Sequence, residues 1–518
     1  MFSWQPSGGK LKLLFFILSF ISTPLFSQQL YEKQLYPFDG LDIDYFGVRV
    51  AASDSFLFVS SIRYANTLGS SVYFYKFIDN DYQFVSKIFP NDPEEGALFG
   101  TSLLFQDNTL FVGAQNKKGN DYPYPVGALY VFEFENNIWV QKQKILPPEP
   151  YSFQSLFSLN LTKQNELLLV SASAADSYIE NSGKVYLYEH RDSFYELKNE
   201  FVPFDAKEDQ HYGAGLLLKD DLIIIGSLYD STSSGIGSGS IYVYKKQDTS
   251  WNFIKKIIPP VNSINLAFGC ELAINDEFVF VGTSDNYYYS NPGKVYIYKY
   301  SGSELTLDQI IKTGDEYHDD HFGIDLIAKG DSLLVSALFD TASNYYTGAA
   351  YLFEKEDSLW QRKRKIVPSN MEDAHLFGGS PLLQDDKIIL GARETKHQGK
   401  FTGAVYIYTT KPLTNIDGAL TIPDRFYLTQ NYPNPFNSST SFKVHLPQEG
   451  KISIKLFDIT GQIIKIIPNK YYSSGIHNFI LDFNNFSSGI YFYRVEYICN
   501  IPGKISHSFL TKKAVLIK

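Results

Sequence analysis

Two carboxylates, Glu271 and Asp325, occupy the same place in successive copies of a repeat, each three residues after an aromatic residue, Phe268 and Phe322. Facing one another, such a pair suits glycoside cleavage, which needs two carboxyl groups flanking one bond. The equivalent position reads Arg49, Ser102, Asn160, Gly215 and Ser380 in the other copies. The plainer reading is therefore a polar channel lining, to which Arg49, Asn160, Glu271 and Asp325 contribute. The run His318-Asp319-Asp320-His321 has metal-binding residue types. Consecutive residues of an extended loop point to alternating sides and rarely converge on one ion, so no metal is expected there. Gly-x-Ser-x-Gly, His-Glu-x-x-His, phosphate-loop and Cys-x-x-Cys motifs are all absent. The expectation is a non-enzymatic protein without a cofactor, with glycan cleavage by Glu271 and Asp325 as the alternative.

The elements that would position these residues follow from the repeat itself. Phe46-Gly47 recurs as Phe99-Gly100, Phe157-Ser158, Tyr212-Gly213, Phe268-Gly269, Phe322-Gly323 and Phe377-Gly378, at spacings of 53, 58, 55, 56, 54 and 55 residues. Seven copies at a fixed period mean an array whose units cannot bury their apolar faces alone. After each aromatic come a polar turn such as Asp220-Asp221 and an apolar run such as Leu222 to Ser227. A longer loop leads to strict alternation, as in Gly183-Lys184-Val185-Tyr186-Leu187-Tyr188, and then to a segment such as Trp251 to Pro259. These are four short strands per period, and four-stranded units repeated radially make a β-propeller.

Pro90, Pro203, Pro259 and Pro368 each stand nine residues before the next aromatic, and Pro37 stands nine before Phe46. The chain thus begins with an orphan fourth strand, and the seventh unit stops after its third, at Tyr408. Residues of about 28 to 37 should pair beside Val405 to Tyr408 and close a seven-bladed ring, which removes aggregation-prone edges. Paired lysines on the fourth strand (Lys142 and Lys144, Lys255 and Lys256, Lys363 and Lys365) read as charge protecting an outer edge. Trp139, Trp251 and Trp360 read as packing between blades.

The loops between second and third strands share one face of such a ring and are rich in Tyr, Asn, Ser, Gly and Asp. Tyr supplies large contact area at low entropic cost, and Ser, Gly and Asn adapt their hydrogen bonds. Candidate ligand-binding residues are Tyr122, Tyr124, Tyr178, Tyr229, Tyr287, Tyr288, Tyr289, Tyr345 and Tyr346. Residues 28–424 hold 33 Lys/Arg against 52 Asp/Glu, whereas residues 425–518 hold eleven against four. An acidic ring repels phosphate backbones and anionic lipid heads, which argues against nucleic acid and favours neutral or basic partners. The two cysteines, Cys270 and Cys499, fall in different domains, so no disulfide framework is expected.

The units resemble the FG-GAP repeat family, on the Phe-Gly start and on second-strand ends such as Val112-Gly113-Ala114 and Leu390-Gly391-Ala392, over roughly residues 38 to 410. Integrin-type members carry calcium loops between the first two strands. This chain has only Ser53-Asp54-Ser55 or Lys329-Gly330-Asp331 there, with too few oxygen ligands. The resemblance implies a calcium-free propeller that binds or adheres rather than reacts.

Residues 1–27 read as a secretory signal peptide: Lys10 and Lys12, an apolar core from Leu13 to Ile21, and Ser22 to Ser27 before the cut. The core is short for a bilayer span, so no transmembrane segment is expected in the mature chain. The propeller would span 28–412, with a Pro/Gly-containing linker at 413–424 and a small β-sandwich at 425–518 built from strands Thr440 to Leu446, Lys451 to Asp458, Gln462 to Ile467, Gly475 to Asp482, Gly489 to Tyr497 and Ser508 to Lys518. This tail resembles the type A C-terminal sorting domain of the type IX secretion system, on Asn431-Tyr432-Pro433-Asn434-Pro435-Phe436-Asn437, Phe457-Asp458-Ile459-Thr460-Gly461, Ser488-Gly489-Ile490-Tyr491-Phe492 and Lys512 to Lys518. Ser438 stands where the family usually has Pro. The resemblance implies export through that machinery and a secreted or cell-surface location; the partner expected of the loop face is an extracellular protein or glycan.

Overall fold

The structure, a computed structural model, describes residues 29–518 apart from 41, 64–68, 120–121, 150–153, 261–263, 285–292, 303, 315–319, 342–345, 412, 414–425, 432, 447–449, 473–474 and 502–503. The expected signal peptide, the linker apart from Leu413, Tyr287, Tyr288, Tyr289, Tyr345, Tyr432 and half of the His318–His321 run therefore lie outside the described residues. The chain is all-β. Among the described residues it forms seven four-stranded antiparallel sheets, six of them meanders at 50–88, 99–145, 157–201, 212–257, 272–311 and 322–366. In the seventh, Phe377–Leu383, Lys387–Ala392 and Ala404–Thr409 are completed by Tyr31–Leu35 from the other end of the chain. Tyr31 pairs with Thr409 and Leu35 with Val405.

What the repeated aromatic does is visible in the cores. Seven apolar clusters lie between consecutive sheets, the last joining the seventh sheet to the first. Each contains one opening aromatic (Phe46, Phe99, Phe157, Tyr212, Phe268, Phe322 or Phe377), and all seven are buried. Each meets edge-on a tyrosine of its own sheet's third strand, as Phe46 meets Tyr73 at 5.0 Å and Phe377 meets Tyr406 at 5.0 Å. An aromatic pair in that geometry contributes about 0.5–1.5 kcal/mol beyond its buried area. First strands touch their neighbours in cyclic order, so the ring has no open end.

Close approach of backbones fixes the glycines that introduce the third strands. Gly403 (φ +78) and Gly183 (φ +90) lie against the next opening aromatic; a Cβ would come within 2.1 Å of the Phe46 carbonyl oxygen and 2.2 Å of that of Tyr212. No side chain fits there.

The fourth strands form the outer edges. In six sheets their register shifts at one matching place, for instance beside Val131/Phe132 and Leu352/Phe353. A bulge twists an edge away from foreign strands. The lysines there are ion-paired: Lys142 with Glu133 and Glu135, Lys255 with Glu304, Lys363 with Glu356. Trp139 sits among Phe56, Phe58, Phe74, Phe105 and Phe134, and Trp360 packs edge-on against Phe278 and Phe280.

Past the linker, Tyr427–Leu428, Ser439–Leu446 and Gly475–Asp482 form one sheet, and Ile463–Tyr472, Gly450–Phe457, Gly489–Ile501 and Lys504–Leu516 another. They enclose one core containing Phe442, Val444, Ile454 and Tyr493. Three strands run clearly beyond expectation. Ile463–Tyr472 runs past Pro468 because it is an edge strand, where a missing N–H removes no ladder bond, and its register slips opposite Ser453. Gly489–Ile501 and Lys504–Leu516 form one long hairpin, paired without a break from Gly489↔Leu516 to Ile501↔Lys504. Cys270 and Cys499 are both free thiols.

Candidate ligand-binding face and central channel

Of the residues expected to line a channel, Ser102, Asn160, Asp325 and Ser380 lie on the first strands of their sheets and bond to the next repeat, while Arg49 and Glu271 immediately precede such strands. Ser102 Oγ donates to the Ser158 carbonyl (2.5 Å), and Asn160 Nδ2 to the Ala214 carbonyl (2.5 Å). The Ser380 amide donates to Asp325 Oδ2 (3.0 Å), and the Val50 amide to Ser380 Oγ (2.9 Å). Asn160 and Ser380 thus tie neighbouring sheets together. Arg49, Glu271 and Asp325 are half-buried, and the charges of Asp325 and Arg49 both act on Glu271. Burial raises the Glu271 carboxyl to about 8, the Asp325 carboxylate adds to the rise, and Arg49 opposes it. Burial likewise pushes up the thiol of Cys270, which points at the Gly323 carbonyl. Among the described residues no group of three or more His, Cys, Asp or Glu could hold a metal.

The loops between second and third strands carry the tyrosines. Tyr122 and Tyr124 lie on the small hairpin Lys118–Gly119/Tyr122–Pro125, ring centroids 5.6 Å apart at 70°. Tyr178 is 83% exposed, Tyr346 57% and Tyr124 52%. Tyr346 stands edge-on to Phe339, and Tyr229 edge-on to His211 at 5.3 Å. Tyr178 borders a cleft of ≈730 Å³ whose lining includes Asn116, Gln154, Asp176, Glu180 and His211. Clefts of this size hold a sugar ring or a side chain of a partner. Burial lowers the affinity of His211 for a proton, against the pull of Asp209. With two carboxylates, three planar amides and no Lys or Arg in its lining, the cleft suits neutral or cationic groups and disfavours anions. Gln154 and His211 come from the connections into the third and fourth sheets, a contribution that composition of the long loops did not signal.

Sequence reading also missed a device in those connections. Asp92 accepts from Tyr130 (3.0 Å) and Lys144 (2.8 Å), and Asp205 from Tyr242 (2.6 Å) and Lys256 (2.6 Å). Each aspartate lies two residues after the Pro (Pro90, Pro203) that follows one fourth strand, and clasps the third and fourth strands of the next sheet. Lys144 and Lys256 thus serve as structural clasps.

In the tail, Asn431 is buried and its Nδ2 donates to Thr440 Oγ1 (3.0 Å) and the Pro433 carbonyl (3.2 Å). Phe436 enters the core, 4.8 Å from Phe483. Its backbone pairs with the last strand, the Phe436 amide donating to the Val515 carbonyl (2.9 Å) and the Ile517 amide to the Phe436 carbonyl (2.8 Å). Asn434 joins the same strand through Lys513 and Val515, while Pro435 and Asn437 stay exposed. The motif and the end of the chain are one structural unit.

No curated protein matches the chain. Solved structures similar to it include a hypothetical selenium-binding protein from Sulfolobus tokodaii (14% identity, 60% of this chain and 75% of that one, TM-score 0.41). Two others are the β-propeller domain of the Trilobed protease from Pyrococcus furiosus (10%, 71% and 98%, 0.40) and Sqt1 from Chaetomium thermophilum (11%, 72% and 88%, 0.41). Among the described residues no helix is long and apolar enough to cross a membrane. Residues 430–500 match the family described as Secretion system C-terminal sorting domain, and the chain carries a type IX secretion sorting domain at its C-terminal end.

Proposed function

We propose that this chain is a secreted or cell-surface binding or adhesion protein, a seven-bladed FG-GAP-like β-propeller (28–412) joined by a linker (413–424) to a sorting β-sandwich (425–518). It recognises a protein or glycan through its loop face and leaves the cell by the signal peptide and the type IX machinery. The observation that carries the reading is the polar cleft bordered by exposed Tyr178 on a closed ring that ends in a sorting domain. An exposed aromatic beside amides and carboxylates offers a stacking face and hydrogen bonds together. Glycan-array and cell-binding assays on the mature chain test it. Tyr178→Ala should weaken binding on the order of tenfold, the loss of one aromatic anchor; unchanged binding would remove the cleft from the proposal.

A second reading, glycan cleavage, is favoured by the Glu271 carboxyl being held protonated near neutral pH beside Asp325, as a general acid requires. New reducing ends released by the wild type and lost in Glu271→Gln would support it. No release from any glycan bound on the array would end it.

A further inference from the structure

Asp39 stands two residues past Pro37, in the connection from the closing strand Tyr31–Leu35 into the first sheet, and repeats the clasp seen at Asp92 and Asp205. Tyr73 donates to it at 2.6 Å and Lys87 at 2.8 Å. The second cation differs. Asp92 finds Lys117 of its own sheet's loop at 3.2 Å. In the first sheet the corresponding loop offers Arg63, which pairs with Asp44 instead. Asp39 receives Lys443, at 3.0 Å, from the strand Ser439–Leu446 of the sorting domain.

Two more contacts lie beside this one. The Tyr427 hydroxyl donates to the Val85 carbonyl at 3.4 Å, and the Tyr427 ring stands edge-on to Phe84 at 6.5 Å. Val85 is the residue skipped in the register of the first sheet's outer strand, where Ser86 pairs with Phe74 and Phe84 with Tyr75. Leu413, at the start of the linker, is buried in the cluster between the first and seventh sheets. The closing strand is tied to the same outer strand by the ion pair of Lys33 with Asp81. The global charge agrees: a basic tail meets an acidic ring.

We infer that the sorting domain is a clamp on the closing seam of the ring: Lys443 completes the charge set at Asp39, and Tyr427 takes the bulge of the adjoining edge. Because Asp39 is carried by the segment that closes the ring, the docking surface is whole only when Tyr31–Leu35 is in place. The domain therefore docks on finished cargo, and its removal leaves Asp39 with the ring's own Tyr73 and Lys87. This rests on the sorting-domain match and not on the ligand-binding reading.

The test uses the mature full chain with a protease site placed within residues 414–425. After the cut, the sorting fragment should co-elute with the ring in size-exclusion chromatography at low salt and separate as salt is raised. Lys443→Glu should weaken that association on the order of tenfold, and amide exchange at residues 31–40 should speed up several-fold once the fragment leaves. Lys443→Met and Tyr427→Ser, conservative for the fold of the tail, should each weaken it less. Immediate separation of the wild-type fragments would overturn the inference. So would co-elution that survives all three substitutions, or exchange at 31–40 that is the same with and without the fragment.

Discussion

Ser380 and Val50 close the ring at its inner wall: the Val50 amide donates to Ser380 Oγ at 2.9 Å, and the same hydroxyl lies 3.3 Å from the Val50 carbonyl. They are 330 residues apart in the chain, so these bonds join the seventh sheet to the first. Farther out, Gly403 presses on Phe46 across the same seam. Ser380→Ala should cost about 1–2 kcal/mol by leaving the Val50 amide without its partner. Gly403→Ala, strained at φ +78 and blocked by the Phe46 carbonyl, should cost on the order of 3 kcal/mol. Chemical denaturation would read both, and equal midpoints for the two variants would show that the seam is not closed as described.

Trp360 is 2% exposed and meets Phe278 and Phe280 edge-on across the fifth and sixth sheets, while Trp251 is half-buried. Trp360→Ala should cost about 3–5 kcal/mol, the range for emptying a large aromatic site, and Trp251→Ala clearly less. Thermal melts of the two variants check the order, and a reversed order would contradict the assignment of Trp360 to packing between sheets.

The sequence announces the period because every sheet-to-sheet slot must be filled by one aromatic at one place, so Phe46 and its six counterparts recur in register. It announces the closing strand because Pro37 keeps its distance from Phe46 when the strand it belongs to has no sheet of its own. The clasps are only half legible: Asp39, Asp92 and Asp205 recur two residues after a repeat proline, but no local pattern names the partners, a tyrosine 34 residues from Asp39 and a lysine on the next strand. The cleft is silent, since Asn116, Gln154 and His211 lie in segments that meet only when three repeats stack. Lys443 on Asp39, 404 residues apart, belongs to docking between domains, which no local pattern encodes.

Glu271 sets a pH dependence with a defined sign. Burial, with the Asp325 charge adding to it, raises its folded carboxyl from the ordinary value of 4.5 to about 8. Between those values the unfolded chain has released the proton and the folded one keeps it, so the unfolded state binds fewer protons and stability falls as pH rises from about 4.5 to about 8. The groups facing it are Asp325, which adds to the rise, and Arg49, which opposes it. Glu271→Gln should flatten this part of the profile and melt higher than wild type at pH 9. Parallel melting curves for the two proteins across pH 4–9 would mean that Glu271 is solvated in the channel.

Asn434 staples the sorting motif to the end of the chain: its Nδ2 donates to the Lys513 carbonyl (3.1 Å), and the Val515 amide donates to its Oδ1 (2.7 Å). Asn434→Ala removes both bonds and leaves the Val515 amide without its Asn434 acceptor, at a cost of about 1–3 kcal/mol. Phe436 and Leu516, which close the core along the same seam, would then be less firmly held. Amide exchange at residues 513–517 should quicken and the tail should become sensitive to protease, with export falling in a secretion assay. Asn434→Asp keeps an acceptor for Val515 but loses the donor to Lys513, and should fall between Ala and wild type. Asn437→Ala, at an exposed position of the same motif, should leave exchange unchanged. If Asn437→Ala abolished export while Asn434→Ala spared it, the machinery would be reading the motif's exposed side chains rather than the fold that Asn434 holds together.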